Sequence, residues 1–419
     1  MHMATLRWGT VVCGIVLCTS FVAAENWPRF RGPNGEGIAR DTGVPVEWTA
    51  DNGVLWKTVL PGVGHSSPIV WGDRIFVQSA TASERMLLCL RAGDGKILWT
   101  HTVTGTKAHT HDKNTLASST PAADGKHVYA VFWDGEGLDL CALDFEGKPV
   151  WKRALGSFKS QHGAGLSPMV VEDRVIVADD QDGSAVLLAF GARDGKPLWE
   201  APRRPFRACY STPFLLERRG QPAELIVGST AGLTSYDPRS GKENWNWEWK
   251  FDAMALRTVA SPVYANGFIV ANSGDGSGAR HAVAVQINGA GKSAKPVLAW
   301  ENKKKREFPY VPSMLAWGDY VYYVADNGVA ACLELKTGKQ VWRKRLDSDM
   351  TASPVLIDGK IYAVSEAGDV HVFAAAPTFV PLGSSSVGEQ VSATPAVADN
   401  RLYIRGDTHL FCIGKRAEK

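Results

Sequence analysis

Apolar residues along this chain come in short runs such as "RIFVQS" (Arg74 to Ser79) and "KIYAVS" (Lys360 to Ser365), bounded by Gly-Asp or Asp-Gly pairs. Runs of that length between turn formers predict β-strands. The pattern repeats. "GDGKILW" ends at Trp99, "FEGKPVW" at Trp151, "RDGKPLW" at Trp199, "RSGKENW" at Trp245 and "KTGKQVW" at Trp342, and a looser copy reaches Trp300. In the five regular copies the tryptophan falls four residues after the glycine. Glycine permits the positive φ of a tight turn between strands, and the strand that follows carries one large aromatic to a fixed depth.

A second signal opens each unit. Ser/Thr-Pro pairs end at Pro68, Pro121, Pro168, Pro213, Pro262, Pro354 and Pro395, with Met314 in the proline's place in one further unit. The eight starts lie 40 to 53 residues apart. Each unit reads strand, turn, strand, loop, strand, Gly-Lys turn, tryptophan strand. Four antiparallel strands in such a period predict a propeller blade, so the expected fold is an all-β propeller of eight blades, with seven the alternative. The last unit lacks a tryptophan strand, while "NGVLWKTVLP" (Asn52 to Pro61) carries an unassigned Trp56. An N-terminal strand completing the final blade would close the wheel and protect its edges. In the seventh unit Phe379 stands where a tryptophan is expected.

The Gly-Lys-x-x-Trp endings resemble the pyrrolo-quinoline quinone (PQQ) repeat family, which includes quinoprotein alcohol dehydrogenases and outer-membrane assembly factors of BamB type. The opening "NWPRFRGPNGEG" (Asn26 to Gly37) is most similar to exported PQQ-like propellers without an established activity. The resemblance implies a tryptophan-docked propeller from Val46 onward. For the dehydrogenases it also implies PQQ and calcium over the central channel, a Glu, an Asn and a catalytic Asp from different blades, and a pair of neighbouring cysteines. No adjacent cysteines and no CxxCH haem site occur here, and no catalytic Asp can be matched. PQQ and calcium are therefore only weakly supported.

Arg7, the apolar stretch Val11 to Val22 and the small residues to Ala24 read as a signal peptide over 1–24. The expectation is export to the periplasm or beyond, an irregular Pro/Gly-rich arm over 25–45, and a propeller over 46–419. No later apolar window is long enough to cross a bilayer. Lys plus Arg number 46 against 43 acidic residues, a balance that argues against a nucleic-acid partner. The run Lys303 to Arg306 reads as a solvated loop. Beyond the signal five cysteines remain, and Cys89, Cys141 and Cys332 each precede a turn glycine by six residues. Equivalent positions in separate units cannot bridge, so these read as buried free thiols.

Candidate chemistry follows from the wheel. Inner strands line the channel of a propeller, so residues just before each start converge at one mouth. They are His65, His109, His111, His162, Arg207, Tyr210, Arg257, Tyr310, Asp349 and Gln390, with Lys113 and Asn114 beside them. Three readings stand open: a small-molecule or peptide site with charge-assisted and stacking contacts, a zinc or copper site using His109, His111 and His65 or His162, and a wet channel without a ligand. "DDQDGS" (Asp179 to Ser184) has oxygen ligands of the calcium type but no EF-hand spacing, and reads as a turn. The favoured function is a non-catalytic binding or scaffolding propeller in the envelope, recognising a protein or small molecule at its mouth. The alternatives are a PQQ-dependent oxidoreductase and a BamB-like assembly factor.

Overall fold

In the computed structural model, residues 25–252, 254–346 and 348–416 are described, and the expected signal peptide lies outside them. Eight antiparallel sheets succeed one another along the chain. Blade 1 is typical: Ile69–Trp71, Arg74–Ala80, Glu84–Arg91 and Ile97–Thr104 follow in order from the axis outward. The burial pattern gives the reason. The second and third strands are buried on both faces between neighbouring blades, whereas the fourth alternates toward solvent. In blade 8, Val54–Val59 pairs with His409–Ile413, so the N-terminal strand closes the wheel.

The tryptophans join blade to blade. Trp56, Trp99, Trp151 and Trp300 donate their indole N–H to Ala92, Phe145, Ala192 and Leu335 of the following blade, at 2.8–3.0 Å. Trp199 reaches Pro238 at 3.3 Å and Trp342 reaches Ala376 at 2.9 Å. Each of the first four, and Trp199, lies against the turn glycine of that next blade. A Cβ on Gly95, Gly147, Gly195, Gly241 or Gly338 would fall 2.4–2.6 Å from the ring of the preceding tryptophan. The glycine of the repeat thus serves twice, for its positive φ and for the space an indole occupies. An indole removes ~200 Å² from water, roughly 5 kcal/mol, against about 1 kcal/mol net for its hydrogen bond, so burial dominates the joint.

Two positions depart from the repeat. Trp245 donates instead to the buried Glu224 of its own blade, because the inserted turn at Gly291–Ser293 replaces the regular Gly-Lys turn. In blade 7 the register puts Gly383, opposite Val372, where other blades carry tryptophan. Phe379 is not the substitute expected; it packs on Trp342 at 5.2 Å. Trp48 from the N-terminal segment, hydrogen-bonded to Ser385 at 2.7 Å, fills the core between blades 7 and 8. Cys89, Cys141, Cys209, Cys332 and Cys412 are all free and buried, as expected. Cys89, Cys332 and Cys412 pair across strands with Trp99, Trp342 and Trp56.

The inner strands are joined by a different device. The backbone N–H of Ser67 donates to the Thr120 hydroxyl at 3.0 Å, and that of Thr120 to Ser167 at 2.9 Å. The same link runs from Thr212 to Ser261, Ser261 to Ser313, Ser313 to Ser353 and Ser353 to Thr394, at 2.9–3.0 Å.

The arm is irregular in secondary structure but firmly placed. It crosses one end of the channel. Trp27 exchanges backbone hydrogen bonds with Val70 of blade 1. Arg29 donates twice to the Pro213 carbonyl of blade 4, and Arg31 to Met314 and Pro354 of blades 6 and 7. Ile38–Ala39 then pairs in parallel with the inner strand of blade 7. Both arginines are buried, and desolvation lowers their pKa to about 10 and about 9, still protonated at neutral pH. Gly35 and Gly37 leave room for the two guanidinium groups.

Gly195→Ala places a methyl 2.5 Å from the Trp151 ring at a φ of +66°. It is expected to destabilise the protein by about 3 kcal/mol in urea denaturation followed by tryptophan fluorescence, whereas Gly93→Ala, with open space around its Cβ and no positive φ, should change stability by about 1 kcal/mol or less.

Candidate functional site at the open channel mouth

With one end closed by the arm, the channel is a cavity open at the other. It spans about 980 Å³, solvent at its mouth included, with Phe30 of the arm among its lining residues. The chain enters each inner strand from this side in extended form, and alternate residues face the axis. Counting back from the proline position, the residues one and three before it line the cavity. Ser67 and His65, Thr120 and Ser118, Thr212 and Tyr210, Ser353 and Thr351, and Thr394 and Ser392 all follow this rule.

The structure brings six of the ten expected mouth residues into the lining: His65, His111, His162, Tyr210, Arg257 and Tyr310. Lys113 and Asn114 join them. His109, Arg207, Asp349 and Gln390 do not line it, and each departure has a physical cause. His109 lies in an irregular segment outside any strand, just before the turn that the Asn114 N–H closes on the His111 carbonyl, so the alternation of a strand does not aim both imidazoles one way. Arg207 is half-buried beside the cavity and turns to the Ala255 carbonyl, 3.4 Å away. Asp349 and Gln390 have the right parity but stand further out, exposed on the rim. The missed hydroxyls were legible: the period of two, counted from each proline, selects them.

Hydrogen bonds hold the lining in place. His111 accepts at Nδ1 from the Lys113 N–H, at 3.1 Å, and its ring meets that of His162 edge-on at 4.6 Å between centroids. The Asn114 amide donates to the His162 and Ala164 carbonyls. Tyr210 donates to the Gly163 carbonyl at 3.0 Å and contacts the Ser160 hydroxyl at 2.5 Å. Across the mouth Lys113 and Glu366 form an ion pair at 2.7 Å, and Thr351 donates to the same carboxylate. Burial alone would raise the Glu366 pKa; the hydrogen bonds from Lys113 and Thr351 overcome it and hold the carboxyl below its ordinary value. Burial lowers His65, and burial followed by the charge of Arg257 lowers His162 to about 4.

The donor set does not suit calcium with PQQ. A hard cation needs six or more oxygen ligands, several of them carboxylates, yet no Asp or Glu is among the described residues that line the cavity. Of the carboxylates that contact lining residues, Glu366 is committed to Lys113 and Thr351, and Asp326 accepts from the Tyr310 and Val311 N–H groups. His111 and His162 stand together, but no third His, Cys, Asp or Glu completes a metal-holding cluster among the described residues. At "DDQDGS" the Asp180 carboxylate is taken by Arg203 at 2.6 and 2.8 Å, and Asp182 accepts from the Ala208 N–H. Trp249 is buried, with its N–H on His281 at 2.7 Å.

His162 sets a pH dependence. Its folded pKa lies below the unfolded value of about 6.5, so the unfolded chain binds more protons between them and stability falls as pH drops through that window toward 4. Thermal unfolding of His162→Gln compared with the unaltered chain should show a smaller loss of midpoint between pH 6.5 and 4, and equal slopes above that range.

Known proteins share this architecture. The family profile described as "Outer membrane protein assembly factor BamB" matches residues 38–161, 140–295 and 297–377. The assembly factor BamB of Shewanella oneidensis is 23% identical over 266 residues, 60% of this chain and 62% of that one. Its counterpart from Burkholderia pseudomallei is 33% identical over 115 residues, 26% of this chain and 30% of that one. The chain thus spans about three fifths or less of the length of these relatives. Among solved structures, BamB from Moraxella catarrhalis superposes with a TM-score of 0.62 at 15% identity, covering 85% of this chain and 98% of that one. A quinohemoprotein alcohol dehydrogenase from Comamonas testosteroni gives 0.64 at 15%, covering 94% and 81%. Likeness at such identity speaks for the fold alone. The profile runs from the arm's strand into blade 7, and on that ground the chain belongs to the BamB-type family of PQQ-like, eight-bladed β-propellers.

Proposed function

We propose that this protein is an exported, non-catalytic propeller of the outer-membrane assembly-factor type, which works in the envelope by binding a protein partner at its open mouth. The family match along most of the wheel carries the reading. The mouth chemistry supports it. Its lining consists of hydroxyls, histidines, tyrosines and an arginine rather than the carboxylates that a quinoprotein's cation requires. No described helix is long and apolar enough to cross a membrane. The mouth residues His65, His111, His162, Tyr210, Arg257 and Tyr310 sit on rigid inner strands or their approaches, where a partner segment entering the channel would meet them. The exposed Asp349 and Gln390, further out than the lining, would be crossed by the same partner.

The test is purification of the tagged chain from its own envelope under mild detergent. Outer-membrane assembly components should be recovered in stoichiometric amount. Recovery of the chain alone, or dye reduction that appears on addition of PQQ and calcium, would contradict the proposal.

A further inference from the structure

Arg257 sits in the cavity wall with most of its guanidinium unpartnered. It is 2% exposed, and its backbone is clamped to Gly274 by two hydrogen bonds of 2.8 and 3.0 Å. One guanidinium nitrogen donates to the Ala208 carbonyl at 3.1 Å. Among the described residues the rest of its fork has no acceptor, and no carboxylate lies within ion-pair distance. Arg203, by contrast, holds Asp180 with two bonds, and Arg31 and Arg85 are each spread over several carbonyls. The unpartnered nitrogens open onto the cavity, where an anion would meet them with charge-assisted hydrogen bonds.

We infer that the cavity binds a single carboxylate, carried on an apolar body, with the Arg257 fork as its principal partner. The inference rests on reading the mouth as a binding surface, and it names what enters. The fork geometry of a guanidinium matches a carboxylate through two parallel N–H donors. Tyr310 lines the same cavity, and its hydroxyl has no protein partner among the described residues. Desolvation raises its pKa, so it remains a neutral donor. The charge balance argues for one negative charge rather than two. Lys113 is neutralised by Glu366, and His65 and His162 are held neutral by burial, which leaves Arg257 as the uncompensated lining cation. A second negative charge would approach Glu366. Phe30, Val259 and Val311 supply apolar wall for the remainder of the ligand.

The carboxylate has two sources, a free small acid or the C-terminus of a peptide, and calorimetry on the purified chain separates them. The probes are benzoate against benzamide, and Gly-Gly-Phe with a free C-terminus against its C-terminal amide. The acids should bind about tenfold or more tightly than the amides. Preference for the free peptide over benzoate assigns a chain end; the reverse assigns a small acid. Arg257→Gln should abolish the acid preference, and Arg257→Lys, which keeps the charge but not the fork, should retain part of it. Acid and amide binding equally to the unaltered protein, neither binding at millimolar concentration, or inorganic phosphate displacing benzoate as its equal, would overturn the inference. The comparison on unaltered protein does not depend on any variant folding. Recovery of assembly components with R257Q is read separately: their retention alongside a lost acid preference leaves partner docking intact and locates the carboxylate in the cavity.

Discussion

The wheel depends on one link repeated at six of its blade junctions, from the N–H that precedes the proline position to a serine or threonine hydroxyl of the next blade. The proline that follows has no N–H of its own and fixes φ, which holds the chain extended as it enters the inner strand. The residue before it therefore carries the donor that must be satisfied. Each link contributes only about 1 kcal/mol net, but leaving a buried N–H unmade costs about 1–3 kcal/mol. Slipping one blade by a residue would break two links and turn its apolar face outward. The hydroxyls thus set register near the axis, while the tryptophans supply most of the burial further out.

The same constraint determines what the channel can do. Because the linking residues are hydroxylated, the wall is polar without being charged, and any charge in the cavity must arrive on approach loops. At the other end the arm supplies Arg29 and Arg31, whose guanidinium groups satisfy inner-strand carbonyls of blades 4, 6 and 7 at once. Their desolvation is offset by those bonds and by the nearby charge of Glu36. A channel plugged on one side becomes a pocket. Binding is then directed to the mouth, where His111, His162, Tyr210, Arg257 and Tyr310 gather from blades far apart in sequence.

Much of this was legible in the sequence because a repeat amplifies weak signals. The Gly-Lys-x-x-Trp endings located the tryptophan strands, and the missing last strand pointed to Trp56 as its replacement. The blade 7 position was misread at Phe379, since spacing alone cannot reveal that register places Gly383 there while Trp48 fills the neighbouring core from a distant segment. At the mouth, proximity to each proline found His65, Tyr210 and Arg257, but the path of each approach segment was needed to reject Arg207, and depth to reject Asp349 and Gln390. His109 failed for a different reason: it lies in an irregular segment outside any strand, where the alternation on which its pairing with His111 rested does not hold. The unpaired state of Arg257 could not be read at all, because a missing partner is a property of three dimensions.

The integrity of the wheel rests on the inner ring. Native-state hydrogen exchange read at the amides of Ser67, Thr120, Thr212, Ser261, Ser313 and Ser353 tests it most directly. These amides should exchange only with global unfolding, as slowly as the central strands of their blades. Exchange within minutes while those strands stay protected would mean that the blades are not joined at the axis, and the shared mouth would have no structural basis.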